Sequence, residues 1–115
     1  MNVPHPIPPA LADMIAERFQ LLSEPMRIRI LDLLQDGPLS VSVIAAGLES
    51  SQQNVSKHLG LLLRAGIVAR QKEHTTSLYE IADASVVKLC EQVCGGLQRR
   101  LEAQWSLVSQ EVVRR

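Results

Sequence analysis

The stretch ESSQQNVSKHLGLLLRAGI, Glu49 to Ile67, holds the reading on which the fold turns. Val55, Leu59, Leu62 and Leu63 recur at helical spacing and form a stripe to be buried. Ser50 and Ser51 stand where a hydroxyl accepts from the orphan N–H groups of a first helical turn. Gly66 ends the helix, because glycine adopts positive φ without a Cβ penalty. The remaining face carries Gln52, Gln53, Asn54, Ser56, Lys57 and His58, with no acid among them. Two readings of that face stand open: a solvated polar surface, or a surface that hydrogen-bonds a partner. Amides suit the adenine edge in a DNA major groove, and lysine suits phosphate or guanine.

The flanks bear on the choice. Upstream, Leu11, Met14, Ile15, Phe19 and Leu22 mark an amphipathic helix over roughly 9–22. Ser23-Glu24-Pro25 breaks it; Ser23 or Glu24 caps the next helix, and Pro25 sits in its first turn, where a missing N–H costs nothing. Ile28, Ile30, Leu31, Leu33 and Leu34 carry that second helix to Gln35, and Asp36-Gly37-Pro38 stops it. Ser40 caps a short third helix, Val41 to Leu48, with Val41, Ile44, Ala45 and Leu48 inward. Helices three and four are then joined by about two residues, the geometry of a helix-turn-helix.

Downstream the period changes from helical to alternating. Residues 67–72 are extended in character, Glu73-His74-Thr75-Thr76 is a polar tip, and Ser77-Leu78-Tyr79-Glu80-Ile81 alternates polar and apolar. This is a β-hairpin, and a hairpin directly after a helix-turn-helix is a wing. Asp83 caps a long last helix with the stripe Val86, Cys90, Val93, Leu97, Leu101, Trp105, Val108 and Val112. The expected fold is mainly α with a small β-hairpin: four helices, two strands and a fifth helix, arranged as a winged helix-turn-helix. Residues 1–8, with Pro4, Pro6 and Pro8, form a flexible arm, and residues 9–115 form one DNA-binding and dimerisation domain.

The totals set limits. The 115 residues suffice for one modest core, and 46% hydrophobic composition with a single Phe, Tyr and Trp makes that core aliphatic. Net charge is zero, from 12 basic and 12 acidic residues, whereas a nucleic-acid binder often carries a basic excess. The distribution points the other way: residues 50–79 hold Lys57, Arg64, Arg70 and Lys72 against Glu73 alone. A local basic face is enough for phosphate contact. No apolar run approaches the ~20 residues of a bilayer span, and the N-terminus lacks a secretory pattern. Two cysteines make no disulfide scaffold, so reduced thiols and a cytoplasmic setting are expected.

An exposed apolar stripe usually marks a partner surface. The first and last helices are left over once the winged unit is assembled, and the last is too long to be covered by so small a core. A symmetric homodimer through these two helices is the economical arrangement. It sets two reading helices one turn of DNA apart, about 34 Å, on an imperfect inverted repeat.

With those residues in view, the chain resembles the ArsR/SmtB-type repressors. The resemblance rests on LSEPMRIRIL (Leu22 to Leu31), SQQNVSKHL (Ser51 to Leu59), LLRAGIV (Leu62 to Val68) and the wing end LYEI (Leu78 to Ile81). It covers about Phe19 to Ile81, and more loosely the last helix. It implies repression by operator occupancy, relieved when an effector binds the dimer. On this reading Gln52, Gln53, Asn54 and Lys57 read base edges of a double-stranded operator. Ser51, Ser56, His58, Arg70, Lys72 and His74 meet backbone or minor groove.

Two metal sites of that family are missing their ligands here. Where one uses Cys-Val-Cys, this chain has Ser40-Val41-Ser42, and hydroxyls are poor ligands for soft metals. Where another uses histidines of the last helix, residues 84–115 contain none, and Asp83 alone holds no zinc. Cys90 and Cys94 remain, four apart and so on one helix face. They are packing residues, as free cysteines commonly are, or a thiol sensor for a thiophilic metalloid or metal, a reactive sulfur species or an oxidant. No other cofactor is expected. No acid pair, nucleophile motif or phosphate loop favours an enzyme. The rival readings are a repressor without an effector and a protein-interaction module.

Overall fold

The computed structural model describes residues 2–102. Five helices and three strands follow in the order α1 (Pro9–Leu21), α2 (Pro25–Leu34), β1 (Leu39–Ser40), α3 (Val41–Leu48), α4 (Gln52–Arg64), β2 (Val68–Glu73), β3 (Thr76–Ile81) and α5 (Ala84–Arg100). The chain divides into two units, Met1–Asp83 and Ala84–Arg115.

The first unit is the winged helix-turn-helix. Its core is aliphatic: Ile30, Leu31 and Leu34 from α2, Ile44, Ala45 and Leu48 from α3, and Val55, Leu59 and Leu62 from α4 are buried. Ile67, Val68 and Tyr79 close it from the sheet side. These are the residues that recur every three or four places along each helix, so the helices pack through stripes encoded in the chain.

Local signals account for the helix ends. Pro25 occupies the first turn of α2, but neither Ser23 nor Glu24 caps it. Ser23 Oγ instead donates back to the Gln20 carbonyl, 2.7 Å away, and so serves the end of α1. Ser40 Oγ accepts from Val43 N–H at 3.3 Å and caps α3. Glu49 ends α3 in the left-handed region at φ 53°, a place where glycine is usual. The turn to α4 is therefore three residues, Glu49 to Ser51, one more than the sequence implied. Ser51 Oγ then accepts from Asn54 N–H at 3.1 Å. Ser51→Ala is expected to lower unfolding free energy by about 0.5–2 kcal/mol in urea titration; no loss would show the cap to be idle.

The wing is a correction to the expected two-strand hairpin. Leu39 and Ser40 form a third strand, so the sheet is antiparallel with order β1-β3-β2. Leu39 pairs with Tyr79 and Ser40 with Leu78, while β2 pairs with β3 from Val68↔Ile81 to Glu73↔Thr76. Two residues carry no periodicity, which is why β1 is silent in the sequence. Its effect is to make β3 central and to tie the wing to the start of the helix-turn-helix. The tip is only His74-Thr75, with His74 at φ 59°.

In the second unit, α5 runs Ala84–Arg100 with Val86 buried and Val93, Leu97 and Leu101 exposed. The predicted stripe residues Trp105, Val108 and Val112 lie outside the described residues. Among the described residues no helix is long and apolar enough to cross a membrane.

Candidate nucleic-acid interface

The face of α4 opposite the core is built by its period. Val55, Leu59 and Leu62 point inward, which leaves Gln52, Gln53, Ser56 and Lys57 exposed on the outer side. Thirteen residues make a rod of about 20 Å, of a diameter that a major groove admits. Arg64 is exposed in the last turn and extends the positive charge of this helix. No acid lies on α4.

The wing adds cations. Arg70 and Lys72 are exposed on β2 and share a face, because strand side chains alternate. His74 is exposed at the tip. The register sets Arg70 opposite Tyr79 and Lys72 opposite Ser77, so neither faces a carboxylate across the ladder. Glu73 is the sole acid of β2, opposite Thr76.

Two predicted readers stand differently from expectation. His58 is buried, 6% exposed, rather than turned to DNA. It lies three residues after Val55 and four before Leu62, and so falls in the buried stripe. Its polarity is met by Arg27, whose Nη1 lies 3.0 Å from Nδ1 of His58. A guanidinium only donates, so Nδ1 accepts and the ring proton sits on Nε2. Burial, then the charges of Arg27 and Lys57, push the imidazole below its ordinary value, with Glu24 opposing. Asn54 is half-buried, and its Nδ2 donates to Ser50 Oγ at 3.0 Å. The amide braces the start of α4 with the second of the two serines.

The partners of His58 had no sequence signal. Arg27 lies 31 positions upstream, too far for any periodic pattern to connect them. Arg18 was missed for the same reason: its Nη1 donates to the Ala65 carbonyl at the end of α4, 2.9 Å away.

Cys90 is half-buried and Cys94 exposed, both as free thiols. Burial, and secondarily the neighbouring Glu91, push the Cys90 thiol up. Among the described residues no group of three or more His, Cys, Asp and Glu side chains could hold a metal ion.

A helix-turn-helix with an acid-free outer helix and a basic wing defines a DNA-binding module. Comparison with known proteins agrees. A helix-turn-helix domain family matches residues 22–71. An uncharacterized HTH-type transcriptional regulator of Mycobacterium tuberculosis, Rv0081, is 43% identical over 77 residues, 64% of this chain and 66% of the relative. The match thus spans just under two thirds of that relative's length. The crystal structure of Rv0081 superposes with a TM-score of 0.73 at 34% identity, covering 82% of this chain and 95% of that one. The homodimeric winged helix-turn-helix DNA-binding domain of Mb0332 from Mycobacterium bovis gives 0.73 at 32% identity, over 82% and 87%. The antimony-specific transcriptional repressor AntR gives 0.74 at 27% identity, over 91% and 93%. The chain belongs to the ArsR-type winged helix-turn-helix transcriptional regulators.

Proposed function

We propose that the chain is a homodimeric repressor that occupies an inverted-repeat operator. The observation that carries this reading is the exposed, acid-free row Gln52, Gln53, Ser56 and Lys57 beside the cationic wing. Gln52, Gln53 and Lys57 read base edges, with Asn54 bracing them. Ser51, Ser56, Arg70, Lys72 and His74 hold phosphate or the minor groove.

The dimer reading is supported by apolar surface that a single chain leaves uncovered. No residue of α1 is buried; Met14 and Phe19 are 64% and 51% exposed. On α5, Val93 and Leu97 are 52% and 46% exposed. The relative from M. bovis is homodimeric, and AntR is a repressor. The direct test is titration of the protein into a fragment of its own promoter carrying an inverted repeat, against scrambled competitor. Preference for the repeat, at two chains per site, is expected; equal binding to both fragments overturns the reading.

For release, Cys90 and Cys94 offer two sulfurs on one face of α5 to a thiophilic species. Two thiols suit a monosubstituted trivalent arsenical, whereas arsenite, which prefers three, needs a thiol from elsewhere in the dimer. Cys94 reacts first, being the more exposed, and the raised thiol of Cys90 makes the response faster as pH rises. With Cys90→Ser/Cys94→Ser, the DNA complex is expected to survive an organoarsenical, persulfide or oxidant that dissociates the wild-type complex. Equal release from both proteins would make the cysteines packing residues.

A further inference from the structure

The helix α1 carries an exposed apolar face, yet none of its residues is buried in the chain. Its position against the reading helix depends on two guanidinium groups. Arg18 reaches from α1 to the Ala65 carbonyl that closes α4. Arg27, in the first turn of α2, does two things at once. Its Nε donates to the Leu21 carbonyl at the end of α1, at 2.6 Å, and its Nη1 donates to the buried Nδ1 of His58 in the middle of α4, at 3.0 Å. Between these straps the packing is incomplete. A solvent-open cleft of about 320 Å³ is lined by Met14, Ile15, Glu17, Arg18, Leu21 and Ala65, and another of about 480 Å³ by Glu17, Gln20, Leu21, Arg27 and Leu61. Interlocked apolar side chains, which usually hold a helix in place, are scarce here, so directional bonds set the angle.

We propose that Arg27 is a positioning residue for DNA reading: it couples the end of α1 to the buried side of α4, and with Arg18 sets the angle at which α4 is presented. The inference rests on the dimeric-operator reading above. If α1 forms part of the dimer face, this angle sets the separation of the two reading helices, and an operator of fixed spacing selects it. A lysine cannot replace Arg27, because one ammonium does not present donors to two acceptors lying in different directions, as the rigid fork does.

The groups around the strap define its response to acid. Arg27 of α2 and Glu24 at its N-cap act on His58, Lys57 lies beside it on α4, and Glu17 of α1 lines the open cleft that Arg27 also lines. Protonation of Nδ1 removes the acceptor and sets two cations together. Because folding lowers the His58 value, the stability that the neutral ring contributes is fully present above 6.5 and is lost as pH falls from there through the lower folded-state value.

The experiment compares wild type, Arg27→Gln, Arg27→Lys and His58→Gln for operator affinity, sedimentation and thermal midpoint. The expected result for Arg27→Gln is a loss of about tenfold or more in operator affinity, with the dimer retained and selectivity for half-site spacing relaxed. Arg27→Lys should fail to rescue. His58→Gln keeps an acceptor but does not titrate, so the ratio of wild-type to variant affinity should fall by about threefold or more as the pH is lowered from ~7.5 to ~4.5, a range that runs well below 6.5 because folding lowers the His58 value. Any ionisation common to both proteins cancels, so the ratio isolates His58. Operator binding by Arg27→Gln within twofold of wild type, or a ratio independent of pH, overturns the inference while leaving the repressor reading intact. If Arg27→Gln does not fold, the His58→Gln ratio alone decides. Wild type without operator preference overturns both.

Discussion

Leu59→Ala is expected to lower the unfolding free energy by about 2–5 kcal/mol, out of the 5–15 kcal/mol typical of a domain this size. Leu59 has no exposed surface and lies between Val55 and Leu62, which are also wholly buried. Removing three side-chain carbons there loses their transfer energy and leaves a cavity that rigid helical neighbours do not fill. Urea denaturation should show a lower midpoint at unchanged slope. Because α4 carries both the core stripe and the outer face, operator binding should decline in step with the folded fraction. A loss below about 1 kcal/mol would mean that α4 is not the helix on which the core closes.

Gln53→Ala and Lys57→Ala are expected to weaken operator binding in different ways. Both side chains are exposed on the outer side of α4, but only an amide offers the paired donor and acceptor that match adenine. Gln53→Ala should cost about 1–3 kcal/mol on the cognate operator and little on scrambled DNA, so its signature is lost preference. Lys57→Ala separates two roles. If Lys57 holds phosphate, binding weakens on all sequences and the salt dependence becomes shallower by about one counterion. If it reads guanine, the loss is confined to the cognate site. Competition titrations at several salt concentrations distinguish these outcomes. An unchanged operator preference in Gln53→Ala would remove it from the readers.

Much of this architecture is legible in the chain. The boundaries of α3, Val41–Leu48, follow from Ser40 and the stripe Ile44, Ala45 and Leu48. The cap of α4 follows from Ser51, and the hairpin from the change of period after Gly66. These signals are local, spanning one turn of helix or one pair of alternating residues. The exceptions have a common character. Ser23 looks like a cap for α2 but serves α1, because the choice depends on which backbone group is nearer in space. Leu39-Ser40 becomes a strand only because Tyr79 and Leu78 lie alongside.

The sequence by itself determined the order of the five helices and the two hairpin strands, the aliphatic stripes that close the core, and the segregation of acids away from residues 50–72. Each depends on neighbours within a few positions, where covalent geometry fixes what meets what. Only the tertiary structure decided that His58 faces inward against Arg27, that Asn54 braces the start of α4, that the wing has a third strand, and that α1 is strapped to α4 by Arg18 and Arg27. A polar residue in a helix faces in or out according to whether the fold supplies a partner for its hydrogen bonds. For His58 that partner is 31 residues away and is brought there only by the packing of α2 on α4.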